Sequence, residues 1–111
     1  MPLRRWLDSR SEEAPVALKA RIGQLVDAHP EWETLPIPEA LMAASEALMA
    51  GVLAADAKDR RTALDLLAAD ACVTYAFEAA SETPASLVAL AERSMRHMAQ
   101  LVEKAGSRGP L

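Results

Sequence analysis

A chain of 111 residues, 51% apolar and 25% charged, can build one core, which excludes a second domain and a wholly disordered chain. Its net charge of −4 argues against sequence-independent binding to phosphate backbones, so no nucleic-acid partner is expected. Aromatic residues supply only 4% of the chain; Ala, Leu, Val and Met carry the apolar share, and no stretch alternates apolar and polar as a half-buried strand would, so the fold class is all-α.

Residues 1–10 hold Trp6 and Leu7 among Arg4, Arg5 and Arg10 and read as a short N-terminal extension, one helical turn docked through the indole. The arginines are read as solvated charge. The first predicted helix opens at Ser11, a capping residue, with Glu12 and Glu13 in the turn where the helix dipole favours acids and Pro15 still inside that turn. Leu18, Ile22, Leu25, Val26 and His29 follow at spacings of three and four and form one apolar stripe, with His29 placed to cap the carbonyl end. Pro30 ends this helix. Residues 31–38 read as an extended connector whose Trp32, Leu35 and Ile37 plug the end of the bundle.

The second predicted helix, about residues 38–56, carries Leu41, Met42, Leu48, Met49, Val52 and Leu53 on one side and Ala40, Ala43, Ala47, Ala50, Gly51 and Ala54 on the other. Lys58 and Asp59 turn the chain into the third, about residues 59–81. There Leu64, Leu66, Leu67, Val73, Tyr75 and Phe77 share the circumference with an arc of Ala69, Cys72, Ala76 and Ala79 that Asp65 interrupts. Thr83 caps the fourth helix and Pro84 takes its first position; its stripe is Leu87, Leu90, Ala91, Met95, Met98, Leu101 and Val102, its wet face Glu92, Arg93, Arg96, Gln100 and Glu103. Gly106 is expected to stop it. The expected architecture is an up-and-down four-helix bundle over residues 11–106, with a flexible tail at 107–111.

The two middle helices carry more apolar surface than a domain of this size can readily hide. Their small-residue faces suit close helix packing, either against each other as an antiparallel hairpin or against a second copy. Ala43, Ala47, Ala50, Ala54, Ala69, Cys72 and Ala76 are the candidate interface, and a homodimer is the expected state. The alternative is that alanine is simply tolerated on a solvent face.

Asp70, Thr74 and Glu78 lie in one line along the third helix, between two bulky flanks. If the flanks met in the core, the line would be the polar end of a ligand pocket, with Met42, Met49, Tyr75, Met95 and Met98 lining it for a small apolar or amphipathic molecule. If each flank packs on a different neighbour, the line faces solvent; Arg60, Ser81 and Glu82 lie close to it and favour this second arrangement. Glu92 and His97 are five residues apart and fall on different faces, so they do not supply the Glu-x-x-His pair of dimetal bundles, and two histidines with one cysteine give no zinc spacing. His97 sits at the edge of its helix's stripe and reads as a packed side chain with a wet tip. No metal or cofactor is expected, and no catalytic residue stands out.

Residues 63–78, Ala-Leu-Asp-Leu-Leu-Ala-Ala-Asp-Ala-Cys-Val-Thr-Tyr-Ala-Phe-Glu, resemble one helix of the trans-prenyltransferases. The resemblance covers those residues alone. The Asp-Asp-x-x-Asp motif with which those enzymes hold magnesium diphosphate is absent from the sequence, so the resemblance implies no prenyl transfer. A lone thiol without an apolar leader reads as cytoplasmic, and no uncharged stretch approaches the roughly 20 residues that span a bilayer, so no membrane partner is expected. The expected function is that of a non-enzymatic interaction module that pairs with itself, or with another protein.

Overall fold

The computed structural model describes residues 2–10, 13–55, 59–82 and 84–107, with backbone alone for residues 2 and 105–107. Among them are five α-helices, α1 (Pro2–Arg10), α2 (Val16–Ala28), α3 (Ile37–Ala54), α4 (Arg60–Ala80) and α5 (Pro84–Ser107), with a 3-10 helix at Pro30–Thr34 and no strand. The fold is all-α, with five described helices where four and a short N-terminal extension were expected. The N-terminal extension is a fifth helix, short and integral to the core. Ser11, Glu12, Lys58 and Thr83, the expected capping and turning residues, and the tail beyond Ser107 lie outside the described residues.

α1 forms because Leu3 and Leu7, one turn apart, enter the core together, and both are buried. Trp6 packs edge-on against Tyr75 of α4 at 6.1 Å between ring centroids, and Arg10 lies over the indole at 5.4 Å. Arg4 donates to the carbonyl oxygen of Gly23 (3.2 Å) and to Asp27 (3.0 Å) on α2. A β-carbon at Gly23 would stand only 3.1 Å from that guanidinium, so glycine is what lets the arginine settle there. The indole is thus one of several anchors.

α2 begins after Pro15, which stands outside the helix as its N-cap and not within the first turn. His29 closes the helix as expected of a C-cap, and its ring stacks on Trp32 at 4.1 Å with Glu31 Oε2 3.0 Å from Nδ1. That hydrogen bond holds the Glu31 carboxyl below its usual range. The connector is wound, not extended. Its 3-10 turns bury Trp32 and leave Leu35 exposed, because the proline at the first position presets the helical dihedral and the indole needs a short reach to the core.

The most extensive contact in the molecule joins α3 to α4. α4 contributes its small face, with Ala68, Ala69, Cys72, Ala76, Ala79 and Ala80 all buried. α3 answers with Leu41, Ala44, Ser45 and Leu48, and Ser45 Oγ donates across the contact to the Ala69 carbonyl at 3.1 Å. A serine hydroxyl can reach the opposing backbone only where two helices lie close, and the alanine and cysteine side chains permit that approach. The expected alanine-on-alanine packing is therefore corrected: large side chains of α3 fill the hollow of α4, and Ala50, Gly51 and Ala54 face outward. Leucine into alanine fills space that two small faces would leave thin.

Asp65, the one acid in the small arc of α4, receives Arg21 of α2 through bonds of 2.6 and 3.3 Å. That pairing raises the guanidinium pKa further, against the opposing pull of burial. α3 is long and apolar enough, by length and composition, to cross a membrane, with a mean hydropathy of 1.4. A core helix meets the same criterion, and α4 packs along this one. Gly51 sits exposed in α3, and a β-carbon at that position would meet nothing within 4 Å, so its only effect is on backbone entropy. Gly51→Ala is expected to stabilise the fold by about 0.5–1 kcal/mol in urea denaturation.

Candidate functional site

α5 is docked by one edge of its apolar stripe. Leu90 is fully buried and Leu101 half-buried, while Arg93, Ser94 and His97 share their line along the helix. Arg93, expected on the wet face, turns inward instead: Nη1 donates to Glu39 at 2.6 Å, and Nη2 and Nε donate to Glu46 at 2.8 and 3.3 Å. These bonds raise the arginine's pKa, that to Glu46 most, with burial opposing. Rotating the helix to make them carries the centre of the stripe roughly a quarter turn away from the protein body. Val88, Met95, Met98 and Val102 are consequently 58%, 72%, 61% and 65% exposed.

Between α3, α4 and α5 this leaves an open groove of about 340 Å³, lined by Met42, Met49, Leu53, Val73, Met98, Leu101 and Val102. Its polar lining is Ser45, Glu46, Ser94 and His97. His97 Nδ1 stands 3.7 Å from Glu46 Oε2, and Ser94 Oγ makes a 3.9 Å contact with the Met42 sulfur. Among the described residues, Nε2 of His97 is buried without a hydrogen-bond partner, as are both carboxylate oxygens of Glu33 elsewhere in the fold. The site is thus mainly apolar, with one ion-paired cluster at its edge.

The groove brings together Met42, Met49 and Met98 of the residues singled out from sequence. It does not bring the other five. Met95 projects into solvent on the outer side of α5. Asp70, Thr74 and Glu78 are exposed: Thr74 Oγ1 turns back to the Asp70 carbonyl at 3.1 Å, and Glu78 pairs with Arg10 at 3.4 Å. The flanks of that line pack on different neighbours, Tyr75 on Trp6 and Val73 beside the groove, so the arrangement with the line in solvent is the one found. Tyr75 and Glu78 serve the docking of α1; burial, then the nearby Glu78 charge, push the Tyr75 hydroxyl pKa up. The polar residues that do reach the groove, Ser45 and Glu46 of α3 and Ser94 and His97 of α5, lie on two helices that no local spacing relates.

Of the candidate interface residues, Ala69, Cys72 and Ala76 are consumed inside the protomer by α3. Ala43 and Ala47 are half-buried, while Ala50 and Ala54 are exposed. The Cys72 thiol, surrounded by apolar groups, has its pKa pushed up to about 12 and stays protonated at ordinary pH. Among the described residues no group of three or more His, Cys, Asp or Glu side chains is placed to hold a metal ion. No protein-family model matches the chain, and comparisons with curated proteins and with solved structures return no match.

Proposed function

We propose that this chain is a non-enzymatic helical interaction module of the cytoplasm that pairs with a second copy of itself. The mating surface in this reading is the apolar ground left uncovered at the C-terminal end of α3 and along α5. It is not the small-residue face of α4, which the protomer has already used. One observation carries the reading: Leu53, Met98 and Val102 line one groove and are each more than half exposed, and the exposed Met95 and Val88 continue that surface along α5. Apolar surface gathered on one face marks interaction sites, whereas scattered exposed residues do not.

Sedimentation between about 1 and 200 µM tests it, a range that brackets micromolar association. The expected mass at the upper end is twice the 11.9 kDa of the chain. A constant single-chain mass throughout would reject self-pairing.

A second reading is favoured by the groove itself, which lies among the helices where a small apolar or amphipathic ligand was expected. Methionine-lined walls adapt to varied apolar shapes, and Glu46 and His97 would supply the polar end in place of Asp70 and Glu78. Native mass spectrometry of freshly purified protein distinguishes this reading: a retained small molecule supports it, and bare protein at both one-chain and two-chain masses speaks against it.

A further inference from the structure

Four exposed side chains of α5, with the half-buried Ala91 among them, have a spacing that scattered surface residues lack. Val88, Ala91, Met95, Met98 and Val102 follow one another at three, four, three and four residues. This is the a/d pattern of a coiled-coil seam, in which each side chain inserts between four of a facing helix. Val88, Met95 and Val102 occupy the a positions, and Ala91 and Met98 the d positions. Leu90 and His97 stand outside the seam, on the edge that docks to the protein body.

We infer that the occupant of this seam is α5 of a second copy, so that two protomers pair helix to helix across a two-fold axis near Met95. The inference rests on the self-pairing proposed above and names its element and register. Three observations select this occupant. First, the seam needs a partner helix with the same 3-4 spacing, and a second copy supplies one already folded, so no helix need be nucleated on binding.

Second, the positions that flank the seam, Leu87, Ser94 and Leu101 on one side and Glu92 and Ala99 on the other, carry a single charge. A nearly uncharged flank lets a second copy approach with little like-charge repulsion, whereas a strongly acidic or basic partner would call for several charges of one sign there. Third, the area suffices. Leu53, Val88, Met95, Met98 and Val102, each more than half exposed, leave on the order of 500 Å² of apolar side chain in water. Two such faces bury on the order of 1,000 Å², at the lower bound for a specific interface. Met95 lies midway between Val88 and Val102, so a two-fold pairing that uses the full seam sets it close to its own copy.

Met95→Glu and Met98→Glu test the seam, since both side chains are exposed in the protomer and the variants are expected to keep their fold. Circular dichroism checks that they do. Either change is expected to weaken self-association at least 100-fold in sedimentation, while Ala50→Arg, beside Leu53 on α3, weakens it less and Thr74→Arg on the exposed line of α4 leaves it unchanged. Met95→Cys is expected to give a disulfide-linked dimer under mild oxidation, and Cys72, buried and protonated, does not compete.

If the native chain dimerises and both glutamate variants dimerise as tightly, the seam is wrong and self-pairing stands. Loss of the dimer in Ala50→Arg alone would move the interface to α3 and overturn the seam. A native chain that is monomeric throughout rejects both proposals, and a helix from a different protein would then be the partner to seek.

Discussion

Leu41→Ala is expected to remove about 3 kcal/mol of folding free energy and to lower the melting temperature by about 15 °C. Leu41 is fully buried in α3, in one core with Leu48 of the same helix, Ala44 and the small face of α4. Truncating it removes apolar contacts and leaves a void that rigid neighbours cannot close. Alanines bordering the void have no rotamers with which to fill it, and Ser45 is held by its bond to Ala69. A domain of this size has total stability of roughly 5–15 kcal/mol, so this single change removes a large fraction. Chemical denaturation measures it. A loss under about 1 kcal/mol would mean that α3 and α4 are not packed leucine into alanine.

The second large effect falls on α5. Arg93→Ala removes three charge-assisted bonds to two carboxylates that are only 22% and 31% exposed at their side chains. Glu39 would then face α5 without the arginine, and Glu46 would keep only His97 Nδ1 at 3.7 Å. The expected loss is about 2 kcal/mol, a figure between the small worth of surface pairs and the heavier penalty for orphaning a buried charge. A double-mutant cycle with Glu46→Ala is expected to give a coupling of about 1 kcal/mol or more. Coupling near zero would show that α5 is held by Leu90 alone, and that the rotation of its stripe has another cause.

Much of the architecture is legible in the residues themselves. Pro30, Pro84 and Asp59 mark helix ends correctly; Asp59 caps α4 by accepting the Arg61 backbone N–H at 2.9 Å. Gly106 does not stop α5, which runs one residue beyond it. The small face of α4 is visible as an arc, but which side of α3 meets it is not. Both sides of α3 are apolar, so periodicity cannot choose between Leu41 with Leu48 and Ala43 with Ala50. α1 reads as a single turn because its charges mask a two-residue apolar pair, Leu3 and Leu7, too short to register as a stripe.

The candidate site is less legible, for a physical reason. The orientation of α5 is set by Arg93 reaching Glu46 and Glu39, 47 and 54 residues earlier in the chain. A hydrophobic stripe predicts that its own centre will face inward. Here an ion-pair cluster competes with the stripe and turns it outward, and nothing local to α5 announces that outcome. Asp70, Thr74 and Glu78 draw notice by their alignment, yet alignment on a helix is equally consistent with a solvated edge.

The central claim is that α5 grips the protomer by one edge and keeps its seam for another chain. Amide hydrogen exchange at about 1 µM and about 200 µM protein tests it most directly, because a half-docked helix opens locally until a partner covers it. The expected result is that amides after about residue 94 exchange at least tenfold more slowly in the concentrated sample, while those of α3 and α4 are equally protected in both. Equal protection of α5 at both concentrations, as strong as that of α4, would contradict the claim, since the stripe would then already be packed within a single chain.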